Sequence, residues 1–171
     1  MNKYLKSVLS SVIVITSLFV ASNTFAATLG VTGITAVKTY ATADDSYTNG
    51  WSWNFNVTVP ANETVLNMKF GDWASTLGTF PAGSNMQFYS PQSSNATSTS
   101  PISITASSTY SAPMYLIPGN TDIQITVEVK VPIGSAGASY STSYGIQTNL
   151  NTPVITVTAD ITALPATVAL T

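Results

Sequence analysis

Nine consecutive residues, Trp51-Ser-Trp-Asn-Phe-Asn-Val-Thr-Val59, alternate between apolar and polar without a break. A β-strand sends successive side chains to opposite faces. Trp51, Trp53, Phe55, Val57 and Val59 would therefore line one face, and Ser52, Asn54, Asn56 and Thr58 the other. A helix would scatter the same residues around its circumference. The pattern returns at Ile123, Ile125, Val127, Val129 and Val131, with Gln124, Thr126, Glu128 and Lys130 between them. Each run ends at a proline, Pro60 and Pro132, which has no N–H to give a strand ladder. Two strands with one fully apolar face each need a second layer to cover them, and the rest of the chain must supply it.

Further strands are expected over Gly33–Tyr40, Val65–Phe70, Asn85–Ser90, Ile102–Ile104 with an extension toward Tyr110, Ala138–Gln147 and Pro153–Ala159. Asp44, Asp45, Ser46 and the pair Asn49-Gly50 are turn residues and suit a tight hairpin before Trp51. Residues 73–84, with Gly78, Pro81 and Gly83, read as a loop. Residues 91–101 are rich in Ser, Thr and Asn and read as the most exposed and mobile loop. In the loop 111–121, Met114, Tyr115, Leu116 and Ile117 are expected to cover one end of the core.

These segments predict an all-β chain: a single immunoglobulin-like β-sandwich of seven to eight antiparallel strands over residues 27–160, with a strand-prone tail at 161–171. The run ending at Pro132, the turn through Gly134 and the strand near Tyr140 resemble the corner at which such sandwiches tie a tyrosine hydroxyl back to the turn backbone.

Residues 1–26 read as a cleaved signal peptide. Lys3 and Lys6 give the basic start, and Thr24-Phe-Ala26 places small residues at the cleavage positions. The apolar run Val8 to Ala21 spans 14 residues, inside the roughly 7–15 of such a leader and short of the ~20 that a membrane span needs. The expected location is secreted and cell-surface associated, with no membrane insertion after cleavage. The chain has no cysteine, so no disulfide staples the fold and burial must stabilise it. Beyond the leader, three lysines stand against seven acids, and arginine is absent. Such a chain cannot neutralise a row of phosphates, which excludes nucleic acid as a partner.

Histidine is also absent. With cysteine, that removes the commonest general base, the usual zinc ligands and the thiol nucleophile. The acids are scattered or sit in turns, so no catalytic, cofactor or metal residue is assigned, and the chain is expected not to be an enzyme. Asp44, Asp45, Asn49 and Asp72 are the candidate oxygen ligands for a loop calcium site, although no calcium-loop spacing is present. Among the aromatics, Trp51 and Trp53 are expected in the core. Trp73, Tyr89, Tyr110 and Tyr115 lie in or beside loops and form the candidate exposed platform for a glycan. Asn56-Val-Thr58, Asn62-Glu-Thr64 and Asn95-Ala-Thr97 fit the N-glycosylation pattern.

The runs Asn49–Pro60, Met68-Lys-Phe-Gly-Asp-Trp73, Asn85-Met-Gln-Phe-Tyr-Ser90, Ile125–Pro132 and Ala138–Gln147 resemble a group of uncharacterised exported β-domains of candidate-phylum bacteria, often found within cell-surface proteins. The resemblance covers roughly residues 45–150. It implies a secreted, surface-associated domain and assigns no catalytic residue. The expected function is a non-catalytic structural and adhesion module. Its partners would be other copies of itself, through edge-strand pairing by an end such as Val154–Val168, or cell-surface components. The alternative is an extracellular glycan- or ligand-binding module that uses the loop aromatics.

Overall fold

The computed structural model describes residues 28–148 and the backbone of 155–161 and 167–169. The expected leader lies outside the described residues. Among the described residues thirteen strands form: β1 (Gly30–Lys38), β2 (Tyr40–Thr42), β3 (Trp51–Thr58), β4 (Val65–Phe70), β5 (Trp73–Ser75), β6 (Gly78–Phe80), β7 (Met86–Tyr89), β8 (Ile102–Ser103), β9 (Met114–Tyr115), β10 (Asp122–Val129), β11 (Thr142–Thr148), β12 (Ile155–Ile161) and β13 (Thr167–Ala169). No helix occurs among the described residues.

One sheet has the order β1-β3-β10-β7-β8 and the other the order β12-β11-β4-β9. At the centre of the first, β3 and β10 pair antiparallel in the register that the alternation demands: Trp51 opposite Val129, Trp53 opposite Val127, Phe55 opposite Ile125, Val57 opposite Ile123. All eight side chains are buried. A shift of one residue would turn every one of them to water, so the apolar stripe fixes the register.

The second sheet contributes Leu66, Met68 and Phe70 from β4 and Tyr144 and Ile146 from β11, all buried in the same core. Rings join the layers. Phe55 meets Phe70 edge-on at 6.1 Å and Tyr144 edge-on at 5.3 Å between centroids. At one end Trp51 contacts Trp53, Trp73, Phe80 and Tyr140, with centroids 5.3–6.1 Å apart. The result is an all-β, sandwich-like arrangement of two sheets around one dry core.

Seven of the strands are four residues or longer, and these are the ones that periodicity can detect. The others correct several expectations. Residues 73–84 are not a plain loop: β5 and β6 form a hairpin that turns Trp73 and Phe80 inward. Its backbone groups lie beside the core, where unpaired N–H and C=O are costly. The first strand is not continuous. β1 stays on β3 with two register shifts, whereas β2 leaves to pair with β13. That pair is parallel, so the strands are not all antiparallel.

The strand at Ile102 does not extend toward Tyr110. Instead the chain crosses between sheets: Ile104 N–H bonds Met86 O, then Ser108 and Ser111 N–H bond Phe70 O and Met68 O on β4. Met114 and Leu116 do reach the core, but from β9 and its continuation rather than from a loop. β11 begins at Thr142 rather than Ala138. Tyr140 precedes it, buried, and its hydroxyl donates to Ala136 O at 3.1 Å across the expected corner.

Gly50 enters β3 where the chain presses on the end of β10. A Cβ there would lie 1.8 Å from Val129 O, a backbone atom that cannot step aside. Gly50→Ala is therefore expected to cost about 1–3 kcal/mol or more by overpacking, read as a lower urea midpoint; an unchanged midpoint would contradict this close approach. Tyr140→Phe keeps the ring and removes one hydrogen bond, so a loss of about 0.5–1.5 kcal/mol is expected in the same assay, against no loss if the bond contributes nothing.

Candidate ligand-binding face

The polar side of the first sheet is a continuous outward face, and the strand registers lay it out in rows. One row runs Lys38, Ser52, Glu128, Gln87, Ser103; the next runs Thr35, Asn54, Thr126, Tyr89. Asn56 and Gln124 follow. The central side chains are tied to one another: Thr126 Oγ1 donates to Asn54 Oδ1 at 3.0 Å, and Gln87 Nε2 to Glu128 Oε2 at 2.7 Å. The Tyr89 hydroxyl reaches Glu128 Oε1 at 3.4 Å.

β7 ends at Tyr89, so the edge of β10 beyond it loses its strand partner. Side chains replace it. Gln92 Oε1 accepts from the Gln124 backbone N–H at 3.1 Å, and Ser90 Oγ donates to Gln124 O at 2.7 Å. These substitutions hold the following segment close to the sheet. Residues 91–101 are therefore not a free loop. Ser94 N–H bonds Tyr115 O, Ile117 N–H bonds Gln92 O, and Ala96 is fully buried. Asn95 fastens the segment from both ends of its amide: Nδ2 donates to Pro113 O at 3.0 Å, and Oδ1 accepts from Tyr115 N–H at 2.8 Å. The sequence reading missed this because Ser and Asn cap backbone groups as readily as they face water.

Between this wall and the sheet lies an open cleft of about 350 Å³, with Tyr89, Gln124 and Thr126 on its floor and Pro91, Thr97 and Ser98 on its rim. A neighbouring depression of about 260 Å³ shares Gln124 and adds Asn56, Gln92 and Asp122. Burial, reinforced by the Glu128 charge, pushes the Tyr89 phenol above its usual range. Tyr47, in the turn before β3, is shifted the same way by burial and then by Glu128 and Asp45.

Of the candidate oxygen ligands, Asp44 and Asn49 meet, but as acceptor and donor of one turn. Asp44 Oδ1 accepts from Ser46 N–H and Oδ2 from Asn49 Nδ2 at 2.6 Å, as a turn cap. Asp45 pairs with Lys130 at 3.1 Å, and Asp72 is exposed between β4 and β5. No group of three or more His, Cys, Asp or Glu occurs among the described residues. The loop-aromatic platform is also dispersed. Trp73 is 1% exposed and belongs to the core, its indole N–H directed at Met86 Sδ. Lys69 Nζ covers the ring of Tyr110 at 4.8 Å from the centroid. Tyr115 is exposed on β9. Of the four, Tyr89 lines the cleft.

No family model matches the chain, and no curated protein matches it. Among solved structures it is similar to one from a study of glycolipid glycan hydrolysis by a family 123 glycoside hydrolase from Clostridium perfringens, with a TM-score of 0.40 and 14% identity. The alignment covers 84% of this chain and 28% of that one. A match of that depth assigns neither site nor activity.

Proposed function

We propose that the chain is an exported, cell-surface structural and adhesion module built on an immunoglobulin-like β-sandwich, and that it acts by contact rather than by catalysis. The carrying observation is the chemistry of the cleft. Its lining is hydroxyls, one amide, one proline and one phenol. With its pKa raised, that phenol stays protonated at neutral pH, so the lining offers no group able to take up a proton there. The immunoglobulin-like type is supported by the strand order: β1-β3-β10-β7 faces β12-β11-β4, which matches the ABED and GFC sheets of that fold. The Tyr140 hydroxyl on Ala136 O supports it too. Export is supported by the leader-like residues 1–26.

Self-association is favoured by the tail. β13 adds three residues to β2 in cis, and the same short edge suits the tail of a second copy by exchange. By contrast, β1 is an exposed edge interrupted by two register shifts, a feature that discourages pairing.

Sedimentation velocity tests the reading with the chain intact and with the chain ended at Ile161. Assemblies larger than a monomer for the first, and monomers for the second, are expected. Identical profiles would remove the tail from the account, and hydrolysis of glycoside substrates by the intact protein would remove the non-catalytic claim. A second outcome concerns pH. Tyr47, Tyr89 and Tyr144 all have raised pKa values, each chiefly from burial. Their phenolate absorbance should appear only above about pH 10, the free value. A folded pKa above the unfolded one gives stability that is whole below the unfolded value and is lost as pH rises through the folded value. Unfolding free energy should therefore fall above about pH 10; phenolate signal from these three at lower pH would contradict their burial.

A further inference from the structure

We propose that the cleft between β7–β10 and the 91–101 wall binds a neutral, hydroxyl-rich oligosaccharide, an inference that gives the adhesion reading a ligand class. Three observations carry it.

The first is the lining. Ser90 and Ser93 are buried and give their hydroxyls to the carbonyls of Gln124 and Tyr115, and the Thr126 hydroxyl donates to Asn54, which leaves the hydroxyls of Thr97 and Ser98 and the Gln124 amide to meet a ligand. Such groups both donate and accept, as sugar hydroxyls do. Tyr89 adds a half-buried ring, the one aromatic face in the lining, and a sugar ring presents apolar C–H groups to such a surface. Pro91 is the one wholly apolar side chain in the lining.

The second is charge. Among the described residues, each of the three lysines is engaged away from the cleft lining. Lys38 Nζ donates to Thr48 O at 2.6 Å, Lys130 pairs with Asp45, and Lys69 lies over Tyr110. The charges nearest the cleft are negative: Glu128 bonds Tyr89, and Asp122 lines the adjoining depression. They repel phosphate, sulfate and uronate, so a neutral chain is favoured.

The third is preorganisation. The floor is held by the Thr126–Asn54 and Gln87–Glu128 bonds, and the wall by Asn95 and by the backbone bonds to Tyr115 and Ile117. Little ordering entropy is left for binding to spend. The depression beyond Gln124, with Asn56 and Gln92, continues the same surface, which suits an oligomer rather than a single sugar.

The test is isothermal titration of the purified protein with neutral hexasaccharides (cello-, manno-, xylo- and chito-oligomers) and with oligogalacturonate, together with amide shift mapping by NMR. At least one neutral hexasaccharide should bind, with shifts centred on Tyr89, Gln124, Thr126 and residues 91–98, and oligogalacturonate should not. Tyr89→Ala and Gln124→Ala should each weaken binding about tenfold or more. Tyr89→Phe should keep most of the affinity, because the ring remains. Circular dichroism and thermal midpoints of the variants separate lost binding from lost folding. Binding of oligogalacturonate alone, binding unaffected by both alanine variants, shifts mapped elsewhere, or no binding by any neutral hexasaccharide at millimolar concentration would overturn the proposal. Assembly in sedimentation with no glycan binding would remove the cleft ligand and leave the adhesion module; turnover of a bound hexasaccharide would do the reverse.

Discussion

Ring-on-ring contact between the two sheets is what the rest of the molecule depends on. Phe55 on β3 reaches Phe70 on β4 and Tyr144 on β11, and Trp51 gathers Trp73, Phe80 and Tyr140 at one end. No cysteine is available to link the layers. Burial must therefore carry the whole load. Each large ring removes about 150–250 Å² from water, roughly 4–6 kcal/mol at about 25 cal/mol per Å². Against this, the indole N–H groups of Trp51 and Trp53 are buried without hydrogen-bond partners, at about 1–3 kcal/mol each. The area term wins for both residues, which explains how a core can keep two unpaired donors.

The inward stripe also determines the outward one. Once Ile123, Ile125, Val127 and Val129 face the core, Gln124, Thr126 and Glu128 must face out, flanked by Asn54 and Asn56 on β3 and Gln87 and Tyr89 on β7. The cleft arises where that polar sheet runs past the end of β7 and the chain closes the exposed β10 edge with Ser90 and Gln92. Satisfying one pair of backbone groups thus raises the wall of the proposed binding surface. Stability and site share the same hydrogen bonds.

This division also decides what the sequence could tell. The long strands were legible because one face of each is dry: Trp51–Thr58, Val65–Phe70, Met86–Tyr89 and Asp122–Val129 fall within a residue or two of where alternation placed them. The Tyr140 corner was legible from its turn residues. The hairpin of β5 and β6 was not, because strands of three residues carry no period. Trp73 was misread for the same reason, since a glycine and an aspartate before it look like the start of a loop. The pinned 91–101 segment and the cleft were hidden more deeply. Their Ser, Asn and Gln side chains bond backbone groups far away in sequence, Asn95 to Pro113 and Tyr115, Gln92 to Gln124, and composition does not distinguish such a residue from a solvated one.

All three tryptophans lie in one buried layer between the sheets, each no more than 1% exposed. Tryptophan emission with acrylamide quenching measures this directly. A blue-shifted maximum and near-complete protection of all three indoles are expected in the folded protein, with both lost together on unfolding. A red-shifted, freely quenched population in the native protein would contradict it, because a tryptophan open to water could not be part of the ring layer that joins the two sheets.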